Sequence, residues 1–151
     1  MARPDLRDQL HRQVNETIGK GAVKRLGCEP VPGPGYYYKP SLLDQVRPGM
    51  PAYEQELFGP VATVIRAGNE ADALLIANDN RYGLGGSVWT RDLERGEAFA
   101  RAMQCGQAFV NGMVKSDPRL PFGGVKASGY GRELGLLGCR EFVNAKTIWV
   151  R

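Results

Sequence analysis

Residues 61–111, VATVIRAGNEADALLIANDNRYGLGGSVWTRDLERGEAFARAMQCGQAFVN, decide the fold class. Val61–Ala67 is β-branched and reads as a strand. Asn69 can cap a helix over Glu70–Asn78, with Ala71, Leu74 and Leu75 on one face. Gly83–Thr90 reads as a second strand. Asp92 caps a second helix over 93–103, where Leu93, Gly96, Phe99, Ala100 and Met103 share a side. Gln107–Asn111 is a third strand. Strand, helix, strand, helix, strand predicts parallel crossovers and an α/β sheet covered on both faces.

On the N-terminal side, Leu6, Leu10, Val14 and Ile18 recur every four residues, so 5–20 reads as an amphipathic helix stopped by Gly19 and Gly21. A short apolar-rich run follows at 22–28. Pro30 to Gly35 is a turn, Tyr36–Lys39 reads as extended, and Asp44–Tyr53, with Pro48, Gly49 and Pro51, reads as loop. On the C-terminal side the rhythm breaks into a Gly-rich loop (112–131), a short helix near 132–139 and a final strand, Glu141–Arg151. Both faces of that strand carry apolar residues, which predicts pairing with something beyond it, such as another subunit.

The chain has 151 residues, 42% hydrophobic and 24% charged, enough for one compact unit. No apolar run approaches 18 residues, so no spanning helix and no membrane partner are expected. MARPDLRDQLHRQ carries charges where a secretory signal needs an apolar core. The net charge of +4 is spread along the chain, without the basic and aromatic interleaving of a nucleic-acid groove. Tyr36-Tyr37-Tyr38-Lys39 comes nearest, and a strand leaving a turn explains it equally well. Three cysteines without a CxxC pair argue against a disulfide framework and against a metal site. These features together predict a cytoplasmic protein.

The residues that carry chemistry are few. His11, the lone histidine, reads as solvent-facing on the first helix, so no Cys–His pair is visible at a suggestive spacing, although one assembled in space stays open. Cys28, Cys105 and Cys139 read as small packing residues. Gly83-Leu84-Gly85-Gly86 lies inside a strand and fails the context of a dinucleotide fingerprint; no phosphate-binding P-loop exists. Glu54 and Glu56 share a side of an extended chain and read as a solvated edge.

Two segments go further. Glu54-Gln55-Glu56-Leu57-Phe58-Gly59-Pro60-Val61 resembles the E-x-F-G-P-V signature of the aldehyde dehydrogenase superfamily. Asn111, then Pro121-Phe122-Gly123-Gly124-Val125-Lys126 and Ser128-Gly129-Tyr130-Gly131-Arg132-Glu133, resembles that family's P-F-G-G-x-K-x-S-G-x-G-R-E loop. The similarity runs along essentially the whole chain and matches only the C-terminal third of such enzymes. It implies residues 1–140 as the C-terminal part of the catalytic α/β domain and 141–151 as an oligomerisation strand. It implies NAD or NADP as cofactor, an aldehyde oxidised to its acid, and a homo-oligomer. The catalytic cysteine, the general-base glutamate, the oxyanion-hole asparagine and the dinucleotide-binding strands are then expected upstream of Met1, leaving this chain without a catalytic residue of its own.

Residue by residue, the resemblance makes Glu56 the acceptor for the nicotinamide-ribose hydroxyls, because an anionic acceptor grips a diol through charge-assisted bonds. Phe58 becomes the aromatic beside the nicotinamide, and Phe122 lines the aldehyde tunnel, with Gly123-Gly124 allowing close backbone approach. The run NGMVKSDPRLPFGGVK is most similar to the succinate-semialdehyde branch, in which Ser116 meets the substrate carboxylate. Lys115 and Arg119 are equal candidates for an assisting cation or for a solvated loop. Two other classes stay open: a non-catalytic interaction module using the C-terminal strand, and an esterase-like thiol enzyme using Cys105.

Overall fold

The computed structural model describes residues 1–151, in two units, Met1–Asn69 and Glu70–Arg151. The first opens with α1 (Pro4–Gly19), whose proline sits in the first turn, where its missing N–H costs nothing. Leu10 and Val14 are buried as the periodicity requires, and Thr17 joins them. Its hydroxyl donates to the Gln13 carbonyl at 2.7 Å and accepts from the Ala52 N–H at 3.0 Å, so no polar atom is stranded. The helix ends at Gly19, and Gly21 takes φ +105° to turn the chain away.

Three short strands follow: β1 (Val23–Leu26), β2 (Ser41–Asp44) and β3 (Val61–Thr63). The order is β1-β2-β3, with β1 antiparallel to β2 and β2 parallel to β3. Between β2 and β3 lies α2 (Pro51–Glu54), again led by a proline. The expected Asp44–Tyr53 loop is thus shortened at both ends, because Pro51 starts a helical turn instead of breaking one. The core gathers Leu10, Val14, Leu43, Val46 and Met50, all at most 2% exposed. Asp44 lies at its rim, accepting from Arg25 and Arg66 at 2.8 and 2.9 Å and from the Gln45 N–H. The hydrogen bonds from Arg25 come first in holding its carboxyl below the usual range.

The second unit begins with α3 (Glu70–Asn78), followed by β4 (Tyr82–Gly83) and β5 (Gly85–Val88). Then come α4 (Leu93–Ala102), β6 (Gln107–Val110), β7 (Val125–Lys126) and α5 (Gly135–Arg140). The run β5–α4–β6 is a parallel crossover, with Gly85 opposite Gln107 and Val88 opposite Val110. Asp92 caps α4 as expected, its carboxylate accepting from the Arg95 N–H at 3.0 Å. Gly96 presses α4 onto the sheet: a Cβ there would lie 2.7 Å from Thr90 and 2.8 Å from Val110.

The α/β class and the second of the two expected crossovers hold, whereas the first crossover and the continuous sheet do not. The strand at 61–63 pairs with β2, and the glycine strand 83–90 splits at Leu84 between two sheets. Gly83 pairs with Val125 of β7, while Gly85 pairs with Gln107 of β6. Period-two patterning marks which residues are extended and is silent on the partner. At the C-terminus α5 ends in a turn at 141–143, and 144–151 joins no ladder within the chain. Phe142, Ile148, Trp149 and Val150 are each more than three-quarters exposed. No helix is long and apolar enough to cross a membrane.

Candidate functional site

In the first unit, the segment after α2 is shaped by two three-residue turns. The Gly59 N–H donates to the Leu57 carbonyl and the Val61 N–H to the Gly59 carbonyl, both at 2.8 Å. Gly59 lies flat on α1, since a Cβ there would come within 2.4 Å of Leu10. Gln13 of α1 ties the same segment down through the Gln55 side chain and the Glu56 carbonyl, at 2.9 and 3.2 Å. Held in this way, the segment turns outward the two side chains of interest. Phe58 is 65% exposed, and the exposed Glu56 carboxylate enters no ion pair. Glu54 is taken by the Gly49 N–H at 2.9 Å, so the two glutamates differ in role.

In the second unit, the Gly-rich loop is folded back on itself. Phe122 and Glu133 exchange a pair of backbone hydrogen bonds at 2.7 Å. Gly123 and Gly106 touch backbone to backbone; a Cβ on Gly106 would fall 1.7 Å from the Gly123 carbonyl. Gln107 Nε2 donates to that same carbonyl at 2.6 Å. Arg132 Nη1 donates to the Gly124 and Gly131 carbonyls, at 2.7 and 2.9 Å. Lys126, in the left-handed region at φ +56°, sends its ammonium to the carbonyls of Asn78, which ends α3, and Asn80 just after it, at 2.7 and 3.1 Å. Ser128 accepts from the Gly83 N–H at 3.0 Å. Every one of these bonds uses a backbone atom, so the loop's shape is set by main chain and its side chains serve as ties.

The fold-back leaves a cavity of about 400 Å³ lined by Phe122, Leu84, Tyr130, Arg132, Glu133 and Phe142 among others. Ser116 is not among its walls; it stands exposed on the preceding segment. Glu56 and Phe58 thus belong to the first unit, Ser116 and Phe122 to the second.

Residues 1–148 match the aldehyde dehydrogenase family. The chain belongs to that family. A probable NADP-dependent succinate-semialdehyde dehydrogenase of Synechocystis sp. is 49% identical over 150 residues, 99% of this chain and 33% of that protein. The succinate semialdehyde dehydrogenase Sad of Escherichia coli K12 is 46% identical over 99% of this chain and 32% of its own length. The crystal structure of succinic semialdehyde dehydrogenase from Streptococcus pyogenes in complex with NADP+ matches with TM-score 0.94 at 35% identity. That match covers 99% of this chain and 33% of that one. The chain spans about a third of the length of the curated relatives it matches.

Within this aldehyde dehydrogenase segment the cysteines occupy three different environments. Cys28 is buried, its thiol donating to the Leu26 carbonyl at 3.3 Å. Cys105 donates to the Gln107 carbonyl at 3.0 Å, and burial pushes its thiol pKa up, away from a nucleophile's. Cys139 is exposed at the end of α5, which corrects its expected packing role. His11 is corrected as well: it is half-buried, and with Asn15 donating to Nε2 its Nδ1 proton goes to the Tyr38 hydroxyl at 3.1 Å. Burial, followed by Cys28 and Glu29, pushes the Tyr38 phenol up to about 12. No group of three or more His, Cys, Asp or Glu side chains gathers as a metal site.

Sequence reasoning missed the tie made by Gln107, whose only signal was a polar residue opening an apolar strand. It also left Lys115 and Arg119 as equals. The structure separates them: Asp117 accepts from Arg119 Nε at 2.9 Å and Nη2 at 2.6 Å, and from the Arg119 N–H at 2.9 Å. The guanidinium bonds come first in holding the Asp117 carboxyl down to about 2.

Proposed function

We propose that this chain is the C-terminal third of an NAD(P)-dependent aldehyde dehydrogenase that oxidises succinate semialdehyde to its acid. The observation that carries the proposal is the free Glu56 carboxylate two residues from the exposed Phe58 ring, on a segment tied down to α1. An uncommitted anionic acceptor beside an open aromatic face suits a diol attached to a flat ring, so the residues present fit a nicotinamide nucleotide. When bound, that cofactor supplies the acceptor for the hydride leaving the aldehyde carbon. Glu56 accepts hydrogen bonds from the ribose hydroxyls, and Phe58 restrains the nicotinamide's orientation, where a small misplacement is costly in rate. Phe122 walls the aldehyde's path. Ser116 donates its hydroxyl hydrogen to the substrate's distal carboxylate. NAD and NADP both fit, since Glu56 meets only the nicotinamide end.

The nucleophile and general base belong to the further segments that relatives of full length carry: Cys28 is buried, burial raises the Cys105 thiol pKa, and the lone histidine, His11, meets Tyr38 and Asn15 instead of a thiol. The tail 141–151 serves as an assembly strand in a homo-oligomer, its exposed apolar side chains covered there. With its three cysteines unpaired, the protein acts in the cytoplasm.

The test joins this chain to the segments its relatives carry and follows NAD(P)H formation at 340 nm with succinate semialdehyde. Activity is expected from the assembled protein and none from the chain alone. Glu56→Gln should raise the cofactor KM roughly tenfold, the loss of one charge-assisted bond, with the aldehyde KM little changed. The exposed tail favours one second reading, a non-catalytic module that binds full-length subunits. It gains if mixing the pieces yields a stable complex without activity.

A further inference from the structure

Gly106 and Gln107, where β6 begins, act together on the Gly-rich loop. Gly106 makes room: having no Cβ, it admits the Gly123 carbonyl at a spot where a Cβ would lie 1.7 Å from that oxygen. Gln107 holds what has been admitted, its Nε2 donating to the Gly123 carbonyl at 2.6 Å. The donor stands on fixed backbone. The Gly106 and Gln107 N–H groups donate to the Gly83 and Leu84 carbonyls at 3.0 and 3.2 Å, and the Gln107 carbonyl accepts from the Cys105 thiol. The other end of the amide, Oε1, is buried and meets no donor of the chain. A buried amide paired at one end only is costlier than an apolar side chain, so the packing of β6 does not account for a glutamine here.

We propose that Gln107 is a positioning residue for the aldehyde path, acting through the Gly123 carbonyl to hold the Phe122 ring at the cavity wall. The need for such a tie lies in the sequence. Phe122 is followed by Gly123 and Gly124, whose backbones have the widest freedom, so the ring would swing with them unless their peptides were pinned. All three carbonyls are taken. That of Phe122 accepts from the Glu133 N–H, that of Gly123 from Gln107, and that of Gly124 from Arg132. Glu133 and Arg132 belong to the same fold-back as the ring they steady. Of the three partners, Gln107 alone belongs to the β5–β6 sheet. Its tie therefore sets the Phe122 wall against the sheet, where an error of about 1 Å changes which aldehydes reach the reacting position.

This assignment rests on Phe122 walling the aldehyde's path, and the experiment separates the two. In the assembled enzyme, kcat/KM is measured for butanal and for the bulkier benzaldehyde, with the NAD(P) KM as the check on folding. Gln107→Met, of similar length and without the donor, is expected to shift the ratio roughly three- to tenfold toward benzaldehyde, the loss of one hydrogen bond, with the cofactor KM unchanged. Gln107→Glu, ionised and with no hydrogen to give, should shift it at least as far. In a Phe122→Ala background Gln107→Met should move the ratio no further, because its effect passes through that ring. A wild-type ratio in either Gln107 variant, an equal loss for both aldehydes, failure to fold, or full additivity with Phe122→Ala overturns the role of Gln107 and leaves the proposed function standing. If Phe122→Ala alone leaves the ratio unchanged, the Phe122 wall falls and the role of Gln107 with it. An assembled enzyme that oxidises no aldehyde overturns the proposed function itself.

Discussion

The two units are built on opposite plans. In residues 1–69 large side chains fill a core: Leu10, Val14, Leu43 and Met50 are almost wholly removed from water. In residues 70–151 the buried positions are Gly83, Gly96, Gly124 and Gly138. The second unit is closed by backbone meeting backbone and by side chains tying carbonyls, while Leu75, Trp89, Leu93 and Trp149 all face outward at 65% exposure or more. A side-chain core resists through apolar area, whereas a glycine-packed loop resists through steric fit. Phe122 and Ser116 sit in the second kind of structure, whose shape depends on a few irreplaceable close approaches.

The contrast is open to attack by substitution. Leu43→Ala or Leu10→Ala should cost about 2–5 kcal/mol in urea unfolding, and Leu75→Ala should stay within about 0.5 kcal/mol. Equal losses at both places would break the comparison. Gly106→Ala should cost about 1–3 kcal/mol, since its Cβ meets the Gly123 carbonyl, and should speed proteolysis within 121–133. Gly19→Ala, with nothing within 4 Å, should instead stabilise α1 by about 0.5–1 kcal/mol. Asp92→Ala removes the cap of α4 and should cost about 1 kcal/mol, read as earlier hydrogen exchange in 93–102.

One further effect is read only at alkaline pH. The Tyr38 pKa of about 12 lies above the usual value near 10, so the folded form holds the phenol proton more tightly. Its contribution to stability is complete below pH 10 and is lost as pH rises through about 12. An alkaline titration followed at 295 nm should show a late step near pH 12 that disappears in Tyr38→Phe. If Tyr38→Phe leaves the late step in place, or removes absorbance change only from the earlier part of the titration, the first unit's core does not enclose this ring.

Much is legible in the sequence alone. The four-residue spacing marked α1, the β-branched run marked β3, and Asp92 marked the start of α4, because each signal lies within a few residues of its consequence. Glu56, Phe58, Ser116 and Phe122 came only through the resemblance, since nothing in their spacing alone distinguishes them from solvated or core residues. Pro51 was misread because a proline that breaks one helix starts another. His11 was misread because its partner, Tyr38, is 27 residues away.

The sequence by itself determined the class of the molecule: period and capping act locally, and a long motif is specific at any distance. Strand partners and charge commitments were decided only in three dimensions. The split of the glycine strand at Leu84 depends on which backbone reaches it, and no pattern along 83–90 encodes that. The inequality of Lys115 and Arg119 has the same origin. Two cations four residues apart look alike in a row of letters, and become different once one folds back onto Asp117 and the other is left facing water.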